Sequence, residues 1–178
     1  MKKKLKRLLA FTLAAVLLTG TFSVTADAAA KRTVKKQIFT AMAHKVDKNA
    51  AKVKKGTTTL VYKKSEGYVK FVAPAAKTYT FTFSDYKIKG ESRGCIYACK
   101  KDKRDPGYLS YLTMSTKGGK ADALWMASKG IREDKKTALV KRHLHKRSTI
   151  IKLKKGEAVY FYFYGGLPGK ATMKLNIK

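Results

Sequence analysis

From Gly56 to the carboxyl terminus, apolar and polar residues alternate with a period of two, and this restricts the chain more than any other feature. In Tyr79-Thr80-Phe81-Thr82-Phe83 the aromatics fall on one face and the threonines on the other. Ala171, Met173, Leu175 and Ile177 alternate in the same way with Thr172, Lys174, Asn176 and Lys178, and Val69 and Phe71 oppose Lys70. Successive side chains of a strand point to opposite sheet faces, so each run describes a strand with one buried face. Turn-forming residues separate the runs at Ser65-Glu66-Gly67, Lys155-Gly156-Glu157 and 165–169. Further strands are expected over 57–63, 93–100, 108–115, 121–127, 137–143 and 149–154. About nine short strands, spaced by roughly ten residues, predict an all-β fold: a two-sheet antiparallel β-sandwich of jelly-roll type over 56–178.

The first 28 residues read as a secretory signal peptide. Lys2, Lys3, Lys4, Lys6 and Arg7 form the charged start, an apolar stretch follows, and Ala26-Asp27-Ala28 offers small residues for cleavage. Thr12, Thr19, Gly20 and Thr21 interrupt the apolar stretch, which makes it a poor permanent span of ~20 residues. The chain is therefore expected to be secreted, with no stable transmembrane anchor. Residues 29–55 are rich in Lys and Ala and contain neither Gly nor Pro. They read as a basic N-terminal arm or first strand, with 34–40 strand-like and 41–53 either a short helix or a loose arm.

Charge then narrows the partner. The whole chain holds 41 Lys+Arg against 11 Asp+Glu, a formal net charge of +30. Removing the signal leaves 36 basic and 10 acidic residues, or +26. So large an excess surrounds the folded chain with a field that attracts polyanions. Only seven of the 41 basic residues of the whole chain are Arg, so the field comes mainly from hydrated lysine point charges rather than planar forks. The expected partner is an anionic polymer or cell surface: teichoic acid, an acidic glycan or, by the same physics, extracellular DNA. Attachment to a cell wall would be non-covalent, because Leu167-Pro168-Gly169-Lys170 lacks the Thr-Gly pair of a sortase signal.

Lys141, Arg142, His143, His145, Lys146 and Arg147 form the densest basic cluster and are the first candidate for polyanion binding. The competing reading is a solvated charge run that protects a strand edge. Tyr160, Tyr162 and Tyr164 share one strand face and are a candidate stacking platform, although the continuous run 159–164 favours burial on both faces. Tyr108, Tyr111 and Trp125 are alternative aromatic contacts.

Little points to a reaction. The chain has no Gly-x-Ser-x-Gly elbow, phosphate-cradling glycine loop or His-Glu-x-x-His pair, and its few acids are interleaved with Lys and Arg. No catalytic residue, metal ligand or cofactor is expected. The cations flanking His143 and His145 oppose a divalent ion. If Cys95 to Cys99 is one strand, a rise of ~3.3 Å per residue sets the two too far apart for a disulfide, so reduced thiols are expected.

Gly67-Tyr68-Val69-Lys70-Phe71-Val72-Ala73-Pro74 followed by Thr78-Tyr79-Thr80-Phe81-Thr82-Phe83 resembles the bacterial pre-peptidase C-terminal domains. Leu153-Lys154-Lys155-Gly156-Glu157, the run 159–164 and the closing 172–177 resemble the last two strands of such domains. The resemblance implies a jelly-roll-like sandwich, normally appended to secreted enzymes and associated with binding or secretion. This chain carries no enzyme domain and is far more basic. The function expected is a non-catalytic binding module for anionic extracellular polymers. The alternatives are a structural or adhesion protein assembling with protein partners, and an extracellular enzyme or membrane-active factor.

Overall fold

The computed structural model describes residues 30–90, 92–128, 131 and 145–178. The signal segment and the strand expected over 137–143 lie outside the described residues. Among the described residues there are thirteen strands and one helix: β1 (Ala30–Val34), α1 (Ala43–Asn49), β2 (Ala51–Val53), β3 (Gly56–Tyr62), β4 (Glu66–Val72), β5 (Lys77–Ile88), β6 (Arg93–Lys101), β7 (Leu109–Leu112), β8 (Met114–Thr116), β9 (Gly119–Ala121), β10 (Leu124–Ala127), β11 (Lys146–Leu153), β12 (Ala158–Gly165) and β13 (Ala171–Ile177). They form two packed sheets, the all-β sandwich that the alternation requires.

The first sheet runs β1-β3-β13-β5-β11-β8-β9, and the second runs β10-β6-β12-β4-β2 with β7 also on β6. Most neighbours are antiparallel, but β1 on β3 and β2 on β4 are parallel. The purely antiparallel expectation is corrected at these two pairs, both made by the amino-terminal segment. Residues 29–55 are thus built into the sandwich from Ala30 onward, with the strand at 30–34 rather than 34–40. The chain leaves the first sheet after Val34 and crosses over β4 to reach the outer face of the second.

The core lies where the alternating aromatics of β5 meet those of β12. Phe81 and Phe83 pack on Phe161 with ring centroids 4.8 and 5.2 Å apart, and Tyr62 and Tyr86 close on Phe163 at 4.8 and 5.3 Å. Interdigitation of two inner faces in this manner fills a sandwich interior about 10 Å thick. Outward residues of β5 and β11 pair instead through hydroxyls, as between Thr82 and Ser148 at 2.9 Å.

The strand expected over 108–115 is two strands in different sheets. β7 pairs with β6, Thr113 makes the crossing, and β8 pairs with β11 at Ile150 opposite Ser115. The amino-terminal connection adds a third, partial layer. α1 is seven residues long with no side-chain cap at its amino end, and it holds by packing Ala43 and Val46 on the second sheet. Gly67 permits the crossing: its φ is +147°, and a Cβ there would sit 2.4 Å from the Lys35 carbonyl oxygen.

Candidate functional site

The outer face of the second sheet is built from the odd positions of β6 and the even positions of β12. Register places Tyr160 opposite Cys99 and Lys70, Tyr162 opposite Tyr97 and Tyr68, and Tyr164 opposite Cys95 and Glu66. β7 extends the Cys99 row with Tyr111, and β10 extends the Cys95 row with Trp125. The segment 35–50 lies over one half of this face and leaves the other open.

In the covered half, Tyr160 and Tyr162 are buried among Tyr68, Cys99, Leu109, Ala43 and Val46. They present no platform, since α1 and the connection before it occupy that surface; Tyr164 alone of the three is exposed, at 50%. Several polar groups here are paired. Asp47 Oδ1 lies 2.5 Å from Lys70 Nζ and accepts from the Tyr160 hydroxyl at 2.8 Å, while Oδ2 lies 3.2 Å from Lys101 Nζ. Burial works against ionisation of Asp47, but the hydrogen bonds from Lys70, Tyr160 and Lys101 outweigh it and hold its pKa at about 2. The Tyr68 hydroxyl donates to the Thr40 carbonyl at 2.9 Å, and Lys36 pairs with Glu66 at 3.4 Å.

The open half carries Trp125, Tyr97, Tyr111 and Tyr164 around a floor made by Cys95. Trp125 is 45% and Tyr111 55% exposed. Phe39 stacks on Tyr111 at 5.2 Å with the rings 4° from parallel, and Tyr111 meets Tyr97 edge-on at 5.7 Å. Cys95 and Cys99 are both free and buried. Burial pushes the Cys99 thiol up to about 12 and raises that of Cys95, so neither is a thiolate at neutral pH. The hydrogen-bonded Cys95, together with burial, pushes Tyr97 up to about 12.

Beside this aromatic face, at the edge where the β8–β9 hairpin approaches the start of β11, lies an open groove of about 1230 Å³. Tyr97 and Trp125 line one part, and Lys117, Lys120, Lys146 and Arg147 line another, with Thr116, Asp122 and Ser148 between them. Among the described residues, four cations therefore share the groove with one carboxylate, which already accepts from the Thr113 hydroxyl at 3.0 Å. Among the described residues, Lys117, Lys120 and Lys146 have no acidic partner within ion-pair distance. The volume exceeds the ~300–1,000 Å³ of ordinary small-ligand sites, and the open shape suits a segment of a chain.

Of the basic cluster read from the sequence, Lys146 and Arg147 line this groove. His145 instead packs against the end of β10, its Nδ1 3.1 Å from the Ala127 carbonyl oxygen. Lys141, Arg142 and His143 lie outside the described residues. Lys117, Lys120 and Tyr97 were not singled out in the sequence, although signals existed. Lys117-Gly118-Gly119-Lys120 is a tight turn with a cation at each end, and Tyr97 shares the face of Cys95 and Cys99 by simple alternation.

No protein-family model matches the chain, and no curated protein matches it. Solved structures similar to it include CorA, a surface-associated copper-binding protein of Methylomicrobium album BG8 (5% identity, TM-score 0.39, covering 72% of this chain and 98% of that one). A periplasmic inhibitor of g-type lysozyme from Aeromonas hydrophila is 14% identical, with a TM-score of 0.32 and 84% and 98% covered. The pre-peptidase C-terminal domain of a Bacillus anthracis collagenase is 14% identical, with a TM-score of 0.38 and 71% and 92% covered, so a domain of the type the sequence resembles is among them.

Proposed function

We propose that this chain is a secreted, non-catalytic binding module that captures anionic extracellular polymers, such as cell-wall teichoic acid or acidic polysaccharide, in the groove between the β8–β9 hairpin and β11. The observation that carries this reading is the concentration of Lys117, Lys120, Lys146 and Arg147 around a polymer-sized groove that, among the described residues, holds a single carboxylate. Several lysines elsewhere in the described fold do meet acids: Lys70 and Lys101 meet Asp47, Lys100 meets Glu157, and Lys174 meets Asp85. Lys117, Lys120 and Lys146 meet no acid within ion-pair distance among the described residues, so they attract a polyanion without breaking an internal ion pair and release its counterions on contact. The export signal read in residues 1–28 supports delivery outside the cell, and the overall charge supports non-covalent retention on an anionic surface.

Binding to immobilised teichoic acid and to polygalacturonate, followed between about 50 and 200 mM salt, tests this reading. Four contacts at a slope of ~0.7 each amount to about the third power of a fourfold salt change, so affinity should fall on the order of 50-fold. An affinity that barely moves over that range would contradict it.

A further inference from the structure

We propose that the captured polymer is a polysaccharide, and that its sugar rings lie along the aromatic strip formed by Trp125, Tyr97 and Tyr164 while its acidic groups fall to the neighbouring cations. The proposal rests on the polyanion reading and narrows it to one class of polymer. Trp125, Cys95 and Tyr164 stand in one row across β10, β6 and β12. Two strand spacings separate the flanking aromatics, roughly 9.6 Å, about the length of a β-linked disaccharide. The residue between them is a buried cysteine, so two tall rings border a low floor. Tyr97, one residue pair along β6, joins this strip to the groove wall that it shares with Trp125.

Scattered exposed apolar residues need no explanation, but a contiguous aromatic patch on so basic a molecule marks a binding surface. The apolar face of a pyranose ring covers an aromatic ring, whereas a polyphosphate or polyol-phosphate chain has no ring to place there. Asp122 separates the remaining alternatives. A carboxylate inside the groove repels any anion but accepts hydrogen bonds from sugar hydroxyls, which a polyphosphate chain lacks, and the Thr116 and Ser148 hydroxyls beside it also accept such bonds. Of the four groove cations only Arg147 is the planar fork suited to phosphate, the others being lysine point charges.

Trp125 is the only tryptophan in the chain, so intrinsic emission reports on this strip alone. The wild-type protein is titrated with hyaluronate, polygalacturonate and alginate, with long-chain polyphosphate, and with single-stranded oligodeoxythymidylate. At least one polysaccharide should shift the Trp125 emission, and polyphosphate should bind by charge without shifting it. Trp125→Ala should lower affinity for that polysaccharide about tenfold with an unchanged salt slope, and should leave polyphosphate binding as it was. Tyr164→Ala gives a second, independent variant, and thermal unfolding midpoints within a few degrees of wild type establish that both fold.

Polysaccharide binding that is indifferent to both substitutions would overturn the ring-stacking proposal and leave the polyanion reading standing. So would oligodeoxythymidylate as the polymer that shifts the emission most, which would assign the strip to nucleobases. Failure of every polymer to bind at low salt would remove both.

Discussion

One sheet face carries two opposite solutions to the same composition. In the half under α1, lysines project toward Asp47 and Glu66, tyrosine hydroxyls find acceptors, and the rings are buried. In the half beside β10, Trp125, Tyr111 and Tyr164 are exposed, and among the described residues the lysines of the groove have no acid within ion-pair distance. Both halves rest on β6 and β12. What differs among the described residues is the layer above: a connection that supplies acids and apolar side chains covers one half and leaves Trp125 and Tyr164 exposed in the other. Among the described residues, Asp47 and Glu66 pair with lysines of the covered half, whereas Asp122 in the groove pairs with the Thr113 hydroxyl and leaves the groove lysines without an ion pair.

The comparison predicts that the two halves respond to different substitutions. The largest effect lies beneath both. Phe161 is buried against Phe81 and Phe83, and Phe161→Ala should cost about 3–5 kcal/mol in denaturant unfolding and lower polymer binding through loss of folded protein. An intact protein with normal stability would mean that the sheets do not share this core.

Asp47→Asn comes next and should act on the covered half alone. It removes the counter-charge of Lys70 and Lys101 and should cost about 1–3 kcal/mol, with polymer affinity unchanged. Its pH dependence has a fixed sign. With the folded pKa held at about 2, below the ordinary carboxylate value, the contribution of Asp47 is fully present above about pH 4 and lost as pH falls toward 2. The stability gap between wild type and Asp47→Asn should therefore close over that window in thermal unfolding. A gap that stays constant down to pH 2 would show that ionisation of Asp47 is not what holds α1 down. The smallest effect is expected from Tyr160→Phe, which deletes one hydrogen bond to Asp47 at a cost of about 1 kcal/mol and should leave emission of Trp125 and polymer affinity untouched.

The sandwich was legible because its signal is local and redundant. Tyr79, Phe81 and Phe83 alternate with threonines, and the same side chains are the buried ones. The parallel pairing of β1 and β2 was not legible, since two short basic segments carry no alternation that selects a partner strand. Burial of Tyr160 and Tyr162 follows from a cover supplied more than a hundred residues earlier in the chain, which the run 159–164 signals only as an unbroken apolar stretch. The groove is the least legible part. Lys117 and Lys120 come from one turn, Trp125 from a neighbouring strand and Lys146 from a third element, and only the crossing at Thr113 brings the hairpin beside β11. The cluster at 141–147 drew attention because its charges are consecutive, whereas a groove assembles charges that are distant in sequence.

The central claim is that unpaired groove lysines, rather than total charge, capture an anionic polymer. Substituting Lys117, Lys120 and Lys146 together by Gln and comparing polygalacturonate isotherms with wild type tests it most directly, with a control in which three lysines away from the groove (Lys52, Lys77 and Lys170) are replaced in the same way. Both variants lose three charges. The account predicts that the groove variant loses at least about tenfold in affinity, its log-log salt slope falling by roughly two, while the control stays within about threefold of wild type. Equal losses in the two variants would contradict it and make the whole surface the binding site.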